Sequence, residues 1–274
     1  MAQHEEEPVR YAFGRNWRRY LADIDDRRIS NAVNALRAML DVADLQGLTF
    51  LDIGSGSGLS SLAAQRLGAA LVHSFDYDRD SVAATAETRR RFGNSHGWMV
   101  ERGDVLDAAY MDGLGEWDIV YSWGVLHHTG AMWRALTNAA SRVRPGGILF
   151  IAIYNDQGSI SQRWRLVKRI YNGGPLGRAL VAAAFIPYWV VRDFARDLRR
   201  RRSPLQRYRQ YPDARGMSAV RDWFDWLGGY PYEFSRPDEI AHRLRSLGFE
   251  VVRTTTTHGY GNNQFVARRR APSQ

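Results

Sequence analysis

From Leu48 onward, short apolar runs alternate with segments whose apolar residues recur at helical spacing. The runs at 49–53, 71–75, 98–101, 118–122 and 147–154 read as strands, and 59–67, 79–92 and 132–143 read as helices between them. Strands separated in this way by helices imply a parallel, doubly wound α/β sheet. Ahead of it, 28–45 carries Ile29, Val33, Leu36 and Leu40 at helical spacing, an amphipathic helix expected to pack on that sheet. Pro145-Gly146-Gly147 reads as a sharp turn between the last of these helices and the next strand.

The alternation stops at Asn155. The stretch 155–235 has no regular period and reads as a late helical insertion. A helix at 237–247 and strands at 249–254 and 263–268 then resume the sheet. Insertions late in such sheets commonly cover the crevice at the carboxyl ends of the strands, so this one is expected to form a lid. Four divisions follow: 1–27, an aromatic and basic segment over the site; 28–154, the ligand-binding core; 155–235, the lid; and 236–270, the rest of the core sheet.

Composition narrows the chemistry. A chain of 274 residues buries one substantial core and leaves some length for a lid. It has no cysteine, which excludes disulfides, thiolate zinc sites and cysteine nucleophiles. The acidic, polar stretch 1–8 lacks the apolar core of a secretory signal, so a cytoplasmic enzyme is expected. The net charge of +9 suggests nucleic acid, but Lys168 is the only lysine and much of the arginine lies in 192–209 and 268–270. Nucleic acid is therefore not the expected partner.

Gly54-x-Gly56-x-Gly58 follows an apolar strand and opens a helix, where a ligand must approach bare backbone. A dinucleotide fingerprint needs a third glycine at 59, which is Leu59, and no Gly-Lys-Ser/Thr follows to make a phosphate loop. At the end of the second strand, Asp76 is placed to accept from both ribose hydroxyls, whereas Asp78 suits a helix cap. Gly103-Asp104 ends the third strand, with a carboxylate for an adenine amino group. Any one of these acids alone is an ordinary loop residue. The glycine loop and two acids, at three successive strand ends, point to a nucleoside ligand.

Leu51-Asp52-Ile53-Gly54-Ser55-Gly56-Ser57-Gly58, Asp76, Gly103-Asp104, Asp118-Ile119-Val120-Tyr121-Ser122 and Val143-x-Pro145-Gly146-Gly147 resemble the successive motifs of class I S-adenosylmethionine-dependent methyltransferases, over 48–154. The resemblance implies a Rossmann-like seven-stranded sheet with its last strand antiparallel. It also implies S-adenosylmethionine as methyl donor, S-adenosylhomocysteine as product, and a small-molecule acceptor of the ubiquinone-methyltransferase kind. It places Gly54, Gly56 and Gly58 around the methionine part, Asp76 on the ribose, and Asp104 with Val105 at the adenine. Asp52, Ser55, Tyr77 and Ser122 complete the expected cofactor set.

Transfer from a sulfonium requires alignment, exclusion of water and removal of a proton from a hydroxyl acceptor. His127 and His128, just past the fourth strand, are the candidate bases, with Tyr154 and Asp156 at the end of the fifth as further catalytic candidates. The alternative for either histidine is ordering of its own loop. Asn155, Trp17 from the aromatic segment 11–20, and Trp226, Tyr230 and Tyr232 from the cluster 222–233 are candidate acceptor contacts. No metal is expected, and the Asn-Pro-Pro-Tyr motif of many amino-group methyltransferases is replaced by Ser122-Trp123-Gly124.

The leading expectation is O-methylation of a small molecule. One alternative is an RNA-modifying enzyme, because Ser122-x-Gly124-Val125-Leu126-x-His128 also resembles a loop of transfer-RNA wobble-uridine modifiers. Others are N- or C-methylation of a lipophilic substrate at a membrane surface, and a non-catalytic binding protein. The apolar stretch 176–191 followed by arginines up to 202 fits either a lid helix or a peripheral membrane contact, and is too short and too broken by Pro187 to span. The oligomeric state stays open.

Overall fold

A computed structural model describes residues 14, 17, 21, 24–201, 203 and 219–271, with the side chains at 219–222 and 225 outside the description. Strands β1 (Thr49–Ile53), β2 (Leu71–Asp76), β3 (Trp98–Arg102), β4 (Trp117–Trp123), β5 (Val143–Tyr154), β6 (Phe249–Thr255) and β7 (Asn262–Arg269) form one sheet in the order β3-β2-β1-β4-β5-β7-β6. The pairs from β3 through β5 are parallel, and β7 runs antiparallel to both β5 and β6. The last strand is thus the reversed one.

Helices α1 (Asp26–Leu40), α2 (Leu59–Arg66), α3 (Arg79–Phe92), α4 (Ala108–Gly113), α5 (Met132–Ser141) and α9 (Pro237–Ser246) belong to this core. Both faces of the central strands are buried, which is why they read as unbroken apolar runs. On one face Leu51, Val120 and Leu149 pack with Leu136 of α5 and Leu244 of α9. On the other Phe50, Tyr121 and Phe150 pack with Leu36 of α1 and Leu62 of α2. Tyr121 and Phe150 stack at 4.9 Å between ring centroids.

Three local readings change. The first helix stops at Leu40 because Asp41 turns left-handed (φ 57°) and its N–H closes on Arg37; Leu45 is buried outside any helix, its N–H on the Leu67 carbonyl at 2.8 Å. Pro145-Gly146-Gly147 is a bulge inside β5, since the register jumps from Trp117↔Val143 to Ile119↔Ile148. Helix α4, capped by Asp107, is only six residues long and shows no period in the sequence.

The chain divides into two compact units, one of them built mainly of 158–232 and the other of 12–157 with 233–274. The first contains the late helices α6 (Ser159–Asn172), α7 (Pro175–Arg199) and α8 (Ala219–Gly228). Its interior is aromatic: Tyr171, Val181, Trp189, Trp223 and Leu227 pack with Trp164, Phe185 and Trp226. Pro187 does not break α7, which runs 25 residues through it. No helix among the described residues is long and apolar enough to cross a membrane.

Candidate cofactor and acceptor site

The parallel register brings the carboxyl ends of β1, β2, β4 and β5 to one edge of the sheet, where the loops carrying the predicted residues meet. After β1 the backbone turns through left-handed Gly54 (φ 76°) and Gly56 (φ 56°) to left-handed Gly58, the N-cap of α2. A Cβ at Gly54 would strike the Val125 side chain, so the loops after β1 and β4 lie in van der Waals contact. The Gly54 and Ser55 N–H groups both donate to the Phe75 carbonyl, at 2.9 and 3.1 Å. Helix α3 holds the same loop from the other side: the buried Thr85 and Thr88 hydroxyls donate to the carbonyls of Gly56 (3.1 Å) and Ser57 (2.6 Å), and Thr85 also meets Ser55 Oγ at 2.9 Å. A Cβ on Gly56 would stand 3.1 Å from the Trp17 indole. Trp17 thus covers the glycine loop; of the aromatic segment 11–20, only Gly14 and Trp17 fall among the described residues.

Two carboxylates lie beneath this loop. Asp76 accepts from the N–H of Gly56 (3.0 Å) and of Asp78 (2.9 Å), and burial pushes its pKa up to about 6 against those bonds. Asp52 accepts from Ser61 Oγ at 2.5 Å, and burial pushes it up to about 7, with the neighbouring Asp76 charge adding to the rise. No arginine, lysine or histidine pairs with either acid among the described residues. Two unneutralised buried acids beside glycine backbone fit a ligand that carries positive charge and hydroxyl donors. Ser61 passes a chain of contacts on to Ser74 (2.7 Å), whose oxygen accepts from Trp98 Nε1 (2.8 Å).

The remaining cofactor candidates separate. Asp78 caps α3 through Asp80 N–H and also accepts from Gly14 N–H, both at 2.9 Å. Asp104 caps its own turn at Leu106 N–H (2.9 Å), and the buried Val105 offers its carbonyl to Asn138 Nδ2 at 2.8 Å. A side chain on Gly103 would collide with Tyr110, whose hydroxyl donates to Glu101 at 2.7 Å. Tyr77 lies under the Arg102 guanidinium, 5.3 Å from the ring centroid. The Ser122 hydroxyl turns into the sheet and donates to the Ile53 carbonyl at 3.1 Å, so it braces β4 against β1.

Beyond β4, left-handed Gly124 leads into a short 3-10 turn, Leu126–His128. His127 is fully buried and His128 half-buried, with ring centroids 4.5 Å apart. Tyr154, at the end of β5, packs against both, 4.0 Å from His127 and 5.3 Å from His128. Glu233 clamps this turn: its N–H donates to the His127 carbonyl (2.9 Å), and its carboxylate accepts from Met132 N–H (3.1 Å) at the start of α5. Asn155 has a structural part. Its Nδ2 donates to the Thr257 carbonyl (3.1 Å) and its Oδ1 accepts from Asn263 (3.0 Å), so it clasps the turn before β7. Asp156 N–H donates to the Ser235 carbonyl at 3.2 Å, tying the two ends of the insertion together.

Trp226, Tyr230 and Tyr232 lie in the helical unit. There Trp226 and Tyr232 enclose Lys168, whose ammonium sits 4.3 and 5.0 Å from their ring centroids and donates to the Trp226 carbonyl. Tyr230 is half-buried. Thr85, Thr88, Val125 and Glu233 are the positioning residues that sequence reading missed. A pair of buried threonines at helical spacing in α3 was the one available signal.

Comparison with known proteins places this geometry. A family model described as a methyltransferase domain matches residues 15–254. Among curated relatives, the ribosomal protein L11 methyltransferase of Methylococcus capsulatus is 34% identical over 152 residues, 55% of this chain and 46% of that protein. The ubiquinone biosynthesis O-methyltransferase of Caulobacter vibrioides is 34% identical over 113 residues, 41% of this chain and 43% of that protein. The matches thus span less than half the length of either relative. Among solved structures, magnesium protoporphyrin IX methyltransferase from Synechocystis PCC 6803 superposes over 93% of this chain and 86% of its own, with a TM-score of 0.52 at 17% identity, a likeness of fold. With the family model covering most of the chain and the sheet order, reversed strand and glycine loop in place, this chain belongs to the methyltransferase-domain family, in its class I, S-adenosylmethionine-dependent branch.

Proposed function

We propose that the protein transfers a methyl group from S-adenosylmethionine to a hydroxyl oxygen of a small-molecule acceptor. When bound, that donor supplies an electrophilic methyl carbon on a sulfonium. The protein's share is to hold the donor on the Gly54–Gly58 backbone, between the Asp76 and Asp104 carboxylates, and to receive the acceptor's proton. The observation that carries the reading is the cluster of His127 and His128 with Tyr154 of β5, the histidines set on a loop that touches Gly54 through Val125. The half-buried His128 is the group positioned to take the proton, while the fully buried His127 orients it through ring contact.

Support for oxygen as acceptor comes from the similarity to ubiquinone biosynthesis O-methyltransferases. The similarity to a ribosomal protein L11 methyltransferase favours a protein acceptor instead. Against an amino-group acceptor, β4 leads into Ser122-Trp123-Gly124 and not into a motif of the Asn-Pro-Pro-Tyr type.

The test is transfer of labelled methyl to panels of phenols, hydroxyquinones and aliphatic alcohols, with ribosomal protein L11 and bulk transfer RNA as competitors. Label is expected in the small-molecule hydroxyls, and His128→Ala is expected to lower kcat by about a hundredfold or more. Labelling of protein or RNA in preference to every small molecule would overturn the acceptor class. Near wild-type turnover in both His128→Ala and His127→Ala would overturn the histidine assignment.

A further inference from the structure

Helix α7 has its apolar residues on the wrong side for a helix that only packs inward. Its buried face carries Val181, Trp189, Asp193 and Asp197. Its outward face carries Leu176, Leu180, Pro187, Val191, Phe194 and Leu198, which follow one another at intervals of three, four or seven residues and so share one stripe. These side chains are open to solvent, with Leu176 73%, Phe194 55% and Leu198 67% exposed. From Leu176 to Leu198 the stripe is about 33 Å long at 1.5 Å per residue. Neighbouring α6 adds exposed Ile160, Leu166 and Ile170. A continuous apolar surface of this length is an interaction site and not the scatter of single apolar residues normal on a surface.

Charge selects the occupant. Between Gln157 and Arg201 the only acids are Asp193 and Asp197, and both are buried. Asp193 is already paired with Arg192, at 2.8 Å. The exposed charges along this stretch are all arginine, at 163, 165, 169, 178, 196, 199, 200 and 201. A second copy of the same face would bring arginine against arginine, with no exposed carboxylate between 157 and 201 to answer it. A surface that is apolar within and anionic at its boundary answers both features, and no described helix is apolar enough to cross it.

We propose that α7, with the outer edge of α6, lies flat on an anionic lipid bilayer, its apolar stripe among the acyl chains and its arginines at the headgroups. The inference is independent of the methyl-transfer reading, because it rests on this helical unit alone. It is tested with the full chain by flotation on phosphatidylcholine vesicles with and without phosphatidylglycerol. Wild type is expected to float with the phosphatidylglycerol vesicles and to stay behind with pure phosphatidylcholine.

Phe194→Ser with Leu198→Ser, which leaves the charge unchanged, is expected to weaken vesicle binding roughly tenfold or more. Arg196→Gln with Arg199→Gln is expected to weaken it by about tenfold. Val191→Ser on the same stripe is the second probe if the serine pair fails to fold, and is expected to weaken binding in the same direction. Failure of wild type to float would overturn the proposal. So would undiminished binding by the serine variants, which would reduce the effect to net charge. A dimer in sedimentation velocity that the serine pair dissociates would assign the stripe to a second copy instead.

Discussion

Single residues in this protein are defined by what burial does to their protons. Asp52 and Asp76 are held up to about 7 and about 6, chiefly by desolvation. An unfolded chain would release those protons near pH 4, so between about pH 4 and 7 the folded state binds more protons and its stability falls as pH rises. A ligand that brings an ammonium group and hydroxyl donors to these acids reverses the balance by favouring their ionised forms. S-adenosylhomocysteine is therefore expected to bind more tightly as pH rises from about 5 to 8, by at most about tenfold per pH unit for one coupled proton, and Asp76→Asn to flatten that rise. Titration calorimetry across this range checks it, and a pH-independent affinity in wild type would contradict it.

Lys168 runs the other way. Its burial among Trp226 and Tyr232 lowers its pKa to about 7, with no carboxylate contributing. The unfolded lysine stays charged to about pH 10, so over pH 7–10 the unfolded state binds more protons and stability rises with pH, by up to ~1.4 kcal/mol per unit. Lys168→Met is expected to raise the melting temperature at neutral pH and to remove that rise. A variant less stable than wild type at pH 7 would show that the Trp226 carbonyl bond outweighs the buried charge. The composition identified Lys168 as the only lysine, but nothing local revealed that it was buried.

At the scale of elements, what could be read from the sequence depended on how local its cause was. The glycine loop, Asp76 and Asp104 stand at fixed offsets from their strands, so spacing alone located them. Thr85 and Thr88 meet the loop from about thirty positions away, and Glu233 reaches Met132 across 101, separations that no period encodes. Ser122 and Asn155 were chosen for lying at strand ends. Their hydroxyl and amide also bond to the Ile53 carbonyl and to the turn before β7, because a strand end offers backbone partners as readily as ligands. The bulge at Pro145-Gly146-Gly147 and the six-residue α4 escaped for a different reason: both are shorter than the stretch over which a period shows. In α7 the period was hidden because apolar residues occupy the outward face as well as the inward one.

The molecule as a whole joins a core whose plan was legible to a helical unit whose presence was legible but whose packing was not. Alternating strands and helices led directly to the parallel, doubly wound sheet, and the motif resemblance to its seven strands and reversed last strand. The helical unit is held by aromatic contacts among Trp164, Trp189, Trp223 and Trp226, which are long-range in sequence and carry no spacing rule. The central claim rests on the first part: the backbone turn at Gly54, Gly56 and Gly58, with Leu59 where a dinucleotide site needs glycine, holds S-adenosylmethionine. Its most direct measurement is calorimetric titration of S-adenosylhomocysteine and of NAD into wild type and Gly54→Val, whose side chain would strike Val125. Saturable one-to-one binding of S-adenosylhomocysteine to wild type, lost in Gly54→Val, with no heat from NAD, is the predicted result; binding of NAD, or S-adenosylhomocysteine binding that survives Gly54→Val unchanged, would contradict it.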